Sequence, residues 1–98
     1  MNLPLVFHPA VQDEVDDAFR WYERQRTGLG DRFLAALEDV YRRIGSMSLL
    51  HPTIYKDVRC GLLKRFPYGV FYRPHPDRVE VIAVYHLKRA PSGWQSRA

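Results

Sequence analysis

Hydrophobic positions along this chain follow two periods, close to 3.6 residues before Pro52 and 2 after it. Leu3 to Phe7 is a short apolar run interrupted by Pro4, which predicts a strand with one proline-tolerant end. Pro9 suits the first turn of a helix, whereas His8 is a poor N-cap beside Ser, Thr, Asp or Asn. From Ala10 to about Arg26, Val11, Val15, Ala18, Phe19 and Tyr22 form one buried stripe of a helix. Asp13, Glu14, Asp16, Asp17, Arg20 and Arg24 fall on its other side, expected to be solvated, with acids first and bases later as the helix dipole favours. Thr27-Gly28-Leu29-Gly30 interrupts, and a second helix is predicted from about Asp31, with Phe33, Leu37, Val40, Ile44 and Met47 as its stripe. Gly45 and Pro52 bound its end, so the pair forms an antiparallel helical hairpin.

After Pro52, Ile54 to Arg59 and Leu62 to Phe66 predict one or two short strands around Gly61. Gly69 to Arg73 predicts another, Pro74 to Asp77 a turn, and Arg78 to His86 the most apolar strand. Strict alternation puts Val79, Val81, Ala83 and Tyr85 on one side of that last strand and Glu80, Ile82, Val84 and His86 on the other. Apolar residues on both sides place it in the middle of a sheet. The expected architecture is α+β: an N-terminal strand, the helical hairpin, then a three-stranded antiparallel C-terminal sheet, with the helices on one sheet face. The other face is expected to be solvated or reserved for a partner, and the polar tail from Leu87 to Ala98 loosely held, with Trp94 its candidate anchor.

Length and composition narrow the class. Ninety-eight residues fit a single domain spanning 1–98, and 46% apolar with 27% charged residues fits a globular protein. No apolar run reaches the roughly 18 residues of a membrane helix, and the first residues lack the basic and apolar regions of a signal peptide. One cysteine, Cys60, excludes a disulfide framework within the chain. A cytoplasmic protein is expected. Charge is uneven: residues 1–50 carry net −2 and residues 51–98 net +6, with twelve Arg against three Lys. Guanidinium groups grip phosphates and carboxylates bidentately, so the basic half points either to an acidic partner or to a merely soluble surface.

Most chemistries find no support. The four histidines lie at none of the spacings that build a metal site with one another or with Cys60, so no metal and no cofactor are expected. Gly28-Leu29-Gly30 lacks the strand and lysine of a phosphate loop, and no Gly-x-Ser-x-Gly element occurs. Arg59 beside Cys60 would lower its thiol pKa, although an inert small side chain is the simpler reading. What remains is a basic and aromatic set: Arg59, Lys64, Arg65, Arg73, Arg78, His86, Lys88 and Arg89 with Phe66, Tyr68, Tyr72 and Tyr85. Metal-free RNA cleavage needs an acid, a base and cations at the phosphorane, and this set contains each type. The same arginines would equally clamp carboxylates of a protein partner.

Several pieces, in order, resemble the RelE/ParE superfamily of type II toxin–antitoxin toxins, often labelled plasmid stabilisation proteins. They are Pro9-Ala10, Trp21 to Gln25, Gly28 to Phe33, His51-Pro52, Val58-Arg59, Arg65 to Tyr72, and Val84 to Pro91 with Trp94 and Arg97. The resemblance covers about Val6 to Arg97 and implies a helical hairpin on a small antiparallel sheet. RelE-like members are ribosome-dependent mRNA endoribonucleases, whereas ParE-like members poison DNA gyrase. The Trp21–Gln25, Gly-Leu-Gly and Phe-Pro-Tyr pieces look more ParE-like, implying growth arrest through gyrase rather than enzymatic activity. Were the chain a ribonuclease, the resemblance would make His86, Arg65 and Arg59 catalytic, with Tyr85-His86 similar to the His/Tyr pair of one branch. Here twelve residues follow that pair, a departure from that branch. Both branches imply a small antitoxin partner, and Arg59, Lys64, Arg65, Arg73, Lys88 and Arg89 are expected to bind the antitoxin, the target, or both in competition. A non-toxic binding module of the same fold is the third reading.

Overall fold

The computed structural model describes residues 2–98. Strand β1 (Leu5–Phe7) leads into helices α1 (Ala10–Gln25) and α2 (Leu29–Ser46). Strands β2 (Thr53–Tyr55), β3 (Val58–Leu62), β4 (Tyr68–Pro74) and β5 (Val79–His86) follow, and one helical turn, α3 (Ser92–Gln95), comes last. The five strands form one sheet in the order β1-β5-β4-β3-β2, with β1 parallel to β5 and every other pair antiparallel. The C-terminal part therefore holds four strands where three were expected. A turn with Lys56 at φ 53° divides the first apolar stretch into β2 and β3.

β1 is an edge strand, and its proline sits just outside the paired residues. Pro4 has no N–H to give, but its carbonyl accepts the Val79 N–H at 2.9 Å. At the start of α1 the His8 imidazole serves better than its rank as a cap predicts, because its Nδ1 accepts the Ala10 N–H at 3.1 Å. α2 starts at Leu29, two residues before the predicted position. Gly28 adopts φ 90°, a conformation glycine tolerates, and Glu23 of α1 takes the Gly28 and Gly30 N–H groups on its two carboxylate oxygens, each at 3.0 Å. Orphan donors of the new helix are thus capped from the preceding one.

The hairpin packs on one sheet face as its stripes dictate. Val11, Ala18 and Tyr22 of α1 and Phe33, Leu37, Val40 and Ile44 of α2 are buried against Val70, Tyr72, Val79, Val81 and Val84. Met47, the last member of the predicted second stripe, lies beyond the helix and is exposed. β5 departs from strict alternation. Its register with β4 shifts between Tyr72↔Val81 and Phe71↔Ala83, so Ile82 is an extra residue. Beyond it the faces exchange: Val84 joins Val79 and Val81 on the helix side, and Ala83 and Tyr85 turn to the other.

The second face is not left to solvent over its whole extent. Trp94 of α3 is buried and stacks on Phe71 at 4.4 Å, with Tyr55 edge-on at 5.7 Å. The tail is fixed further by Arg97, whose guanidinium bonds the Ile82 carbonyl at 3.1 Å and the Glu14 carboxylate at 2.8 Å. Glu14 in turn accepts the Val84 N–H at 3.1 Å. Glu14, expected on the solvated side of α1, is instead a largely buried ion-pair partner that also accepts a β5 backbone N–H. The tail expected to be loose is locked down.

Candidate functional site

The β3–β4 connection, residues 63–67, carries two exposed cations, Lys64 and Arg65, beside an apolar floor. Its geometry starts with Phe66. That ring turns inward edge-on to Tyr22 at 4.9 Å and Phe33 at 5.5 Å, within an aromatic cluster completed by Tyr68. With Phe66 turned in and half-buried, its predecessors lie outward: Lys64 and Arg65 are exposed. Arg65 does so at φ 69°, a left-handed conformation that costs a non-glycine residue roughly 1–2 kcal/mol.

Lys64 and Arg65 face α2 across a groove of about 710 Å³. Tyr22, Leu29, Ala35, Ala36, Phe66 and Pro67 supply its apolar surface, and Arg32, Arg42, Lys64 and Arg65 its rim. The one acid lining it, Asp39, is already paired with Arg42 at 3.1 Å and Arg43 at 3.8 Å. Arg32, Arg42, Ala35 and Ala36 were not singled out from the sequence. Their signal was there: 32, 35, 36, 39 and 42 repeat with helical spacing on the side of α2 away from its apolar stripe, combining small and cationic residues.

The remaining sequence candidates divide by what already holds them. Arg59 donates to the Leu49 carbonyl at 3.1 Å and to that of His51, pinning the connection between α2 and β2. Arg73 bonds Asp57 at 2.7 Å and Glu80 at 3.3 Å, and Glu80 also takes His75 at 2.9 Å. The Arg73 hydrogen bond holds the Asp57 carboxyl below its usual range; His75, then Arg73, do the same for Glu80. Arg89 lies over the Tyr85 ring at 4.8 Å. Lys88 is exposed, and its backbone N–H donates to His86 Nδ1 at 3.1 Å.

That last bond bears on acid–base chemistry. While this exposed bond holds, the neutral imidazole carries its proton on Nε2 and presents a donor there. His86 lines a second groove of about 470 Å³ with Asp17, Trp21, Tyr68 and Arg89, to which neither Arg59 nor Arg65 contributes. The three residues named for ribonuclease chemistry therefore do not share a cavity. The two grooves meet at Tyr22 and Pro67. Burial pushes the Cys60 thiol up to about 11, the opposite of activation by Arg59, so it stays protonated at neutral pH. Among the described residues, no three His, Cys, Asp or Glu side chains come together as a metal-holding group, and no helix is long and apolar enough to cross a membrane.

Comparison with known proteins decides the family. The sequence model of the ParE toxin of the type II toxin–antitoxin system parDE matches residues 5–91, nearly the whole chain. The chain belongs to the ParE toxin family. A solved chain from a chromosomal ParDE toxin–antitoxin system of P. aeruginosa superposes with a TM-score of 0.65 over 88% of this chain and 97% of its own, at 14% identity. That level of identity carries the shared fold alone. No curated protein matches in sequence. Within the ParE fold, Arg32, Arg42, Lys64 and Arg65 gather around the α2 groove, while Arg59 and Arg73 are tied into the frame.

Proposed function

We propose that this chain is the toxin of a type II toxin–antitoxin pair, held silent by an antitoxin segment lying in the α2 groove and, when free, arresting growth by inhibiting DNA gyrase in the cytoplasm. The whole chain acts as one domain. The observation that carries the antitoxin part is the union of an apolar floor at Leu29, Ala35, Ala36 and Phe66 with a rim of Arg32, Arg42, Lys64 and Arg65. A flexible acidic segment that folds on binding needs both, an apolar seat for one face and counter-charges for the other. Ala35 and Ala36 have short side chains, which lets a partner's backbone approach α2.

Lys64 and Arg65 are the principal antitoxin contacts in this reading. Lys88 and Arg89 extend the basic surface along the adjoining groove. Arg59 and Arg73 support the site through the backbone and carboxylates they hold. The gyrase assignment rests on membership of the ParE family, and the separation of His86 from Arg65 and Arg59 supports a protein-binding over a nucleolytic role. Expression without the antitoxin should stop growth, and the purified protein should inhibit supercoiling by gyrase. Co-expressed antitoxin should restore growth to the wild type but not to a Lys64→Glu/Arg65→Glu variant that keeps its toxicity. Full rescue of that variant would remove the groove from the account; undisturbed supercoiling would remove gyrase.

A further inference from the structure

We infer that the antitoxin segment continues past Lys64 into a second docking surface, where its apolar side chains alternate with carboxylates. The inference deepens the antitoxin reading and rests on it. The surface is the corner of the second sheet face that α3 leaves open. Ile54, Leu62 and Leu87 are 50%, 55% and 47% exposed there, around a recess of about 700 Å³. Three apolar side chains half in water on one recess make a patch that a partner would cover.

Its electrostatics select the occupant. Its basic side chains are Arg43, His51 and Lys64, the Cys60 thiol there is protonated, and no carboxylate lines it. Arg43 Nε and His51 Nε2 are moreover buried and without a hydrogen-bond partner. Unsatisfied buried polar atoms are uncommon in folded proteins, and the Arg43 side chain, 27% exposed and only loosely paired with Asp39 at 3.8 Å, leaves room for a second carboxylate. A second copy of this chain would bring like charge to like charge, given the net +4. Nucleic acid would meet an apolar floor where it needs stacking platforms and phosphate contacts. An acidic, apolar-alternating protein segment fits both features. Lys64 lines this recess and the α2 groove alike, so one chain leaving the groove enters the recess beside it.

The test titrates the full-length antitoxin, defined as the protein that relieves growth arrest on co-expression, into the full-length toxin by calorimetry. Leu62→Glu and Leu87→Glu report on the recess, and Ala35→Glu reports on the groove. Amide spectra establish that each variant is folded; Leu62 and Leu87 are half exposed, and either one suffices if the other fails to fold. Both recess variants should weaken binding about tenfold or more, and the Arg43 Nε–H resonance should shift on binding. Recess variants that bind within twofold of wild type, alongside a weakened Ala35→Glu, overturn this inference and leave the groove standing. Weakened recess variants with an unaffected Ala35→Glu support the recess and overturn the groove. If all three bind as wild type does, both fall.

Discussion

Arg97 and Glu14, 83 residues apart, meet at 2.8 Å between the C-terminal tail and α1, with side chains only 16% and 13% exposed. Beside the β5 bulge each residue also takes one backbone group of that strand: Arg97 the Ile82 carbonyl, Glu14 the Val84 N–H. The pair thereby ties the tail and α1 to β5.

Removing one partner strands the other in a low-dielectric setting and frees a backbone group as well. Arg97→Ala is expected to destabilise the fold by about 3 kcal/mol, near the lower end for broken buried pairs. Urea unfolding of Arg97→Ala, Glu14→Gln and the double variant gives the coupling directly. A loss under about 0.5 kcal/mol, typical of surface substitutions, would mean that the pair is solvated in solution.

Glu23 acts on the hairpin turn. Its two oxygens take the Gly28 and Gly30 N–H groups at the N-terminus of α2, where a negative charge is also favoured by the helix dipole. Glu23→Ala should lose about 1–2 kcal/mol, as deleted N-caps do, and Glu23→Gln less because it keeps one acceptor. Gly30→Ala should mimic the loss, since a Cβ there would stand 2.8 Å from the Phe19 ring and 2.9 Å from Glu23 Oε1. Thermal unfolding of the three variants checks the order; equal stability of Glu23→Ala and wild type would contradict it.

His51 gives the fold a pH dependence. Burial first, then the Arg43 and Arg59 charges, hold its pKa below the ordinary 6.5, so the unfolded chain binds its proton more readily than the folded one. Stability from this group is complete above 6.5 and declines as pH falls below it, toward the lowered folded value. Glu80 and Asp57, depressed by His75 and Arg73, act in the same direction at lower pH, below their ordinary 4.5 and 3.8. His51→Phe should flatten the decline just below pH 6.5 and leave the later one unchanged. Urea midpoints measured from pH 7.5 to 3 test this, and a wild type whose stability rises on acidification from 7 to 5.5 would contradict it.

The helices were legible because their signal is local. Val11, Ala18 and Tyr22, and Phe33, Leu37, Val40 and Ile44, fall on one side by spacing alone, and tertiary packing only confirms the stripe. The β5 bulge was not legible, since an extra residue at Ile82 looks identical to alternation until a partner strand fixes the register. The same limit hid the tail: nothing beside Trp94 or Arg97 in sequence names Phe71, Glu14 or Ile82. For the site, the basic character of the C-terminal half was visible, but the fate of each guanidinium was not. Arg73 and Arg65 look alike in sequence; one meets Asp57 and Glu80, and the other sits on an exposed turn at positive φ. Arg32 and Arg42 were overlooked because they belong to the half of the chain with net negative charge.

Parallel pulse labelling after induction in a bacterial host tests the central claim most directly. Thymidine incorporation should fall first, with methionine incorporation following later, and His86→Ala should arrest growth as strongly as wild type. Methionine incorporation falling first, with His86→Ala relieving the arrest, would contradict the gyrase account and place the chemistry on mRNA.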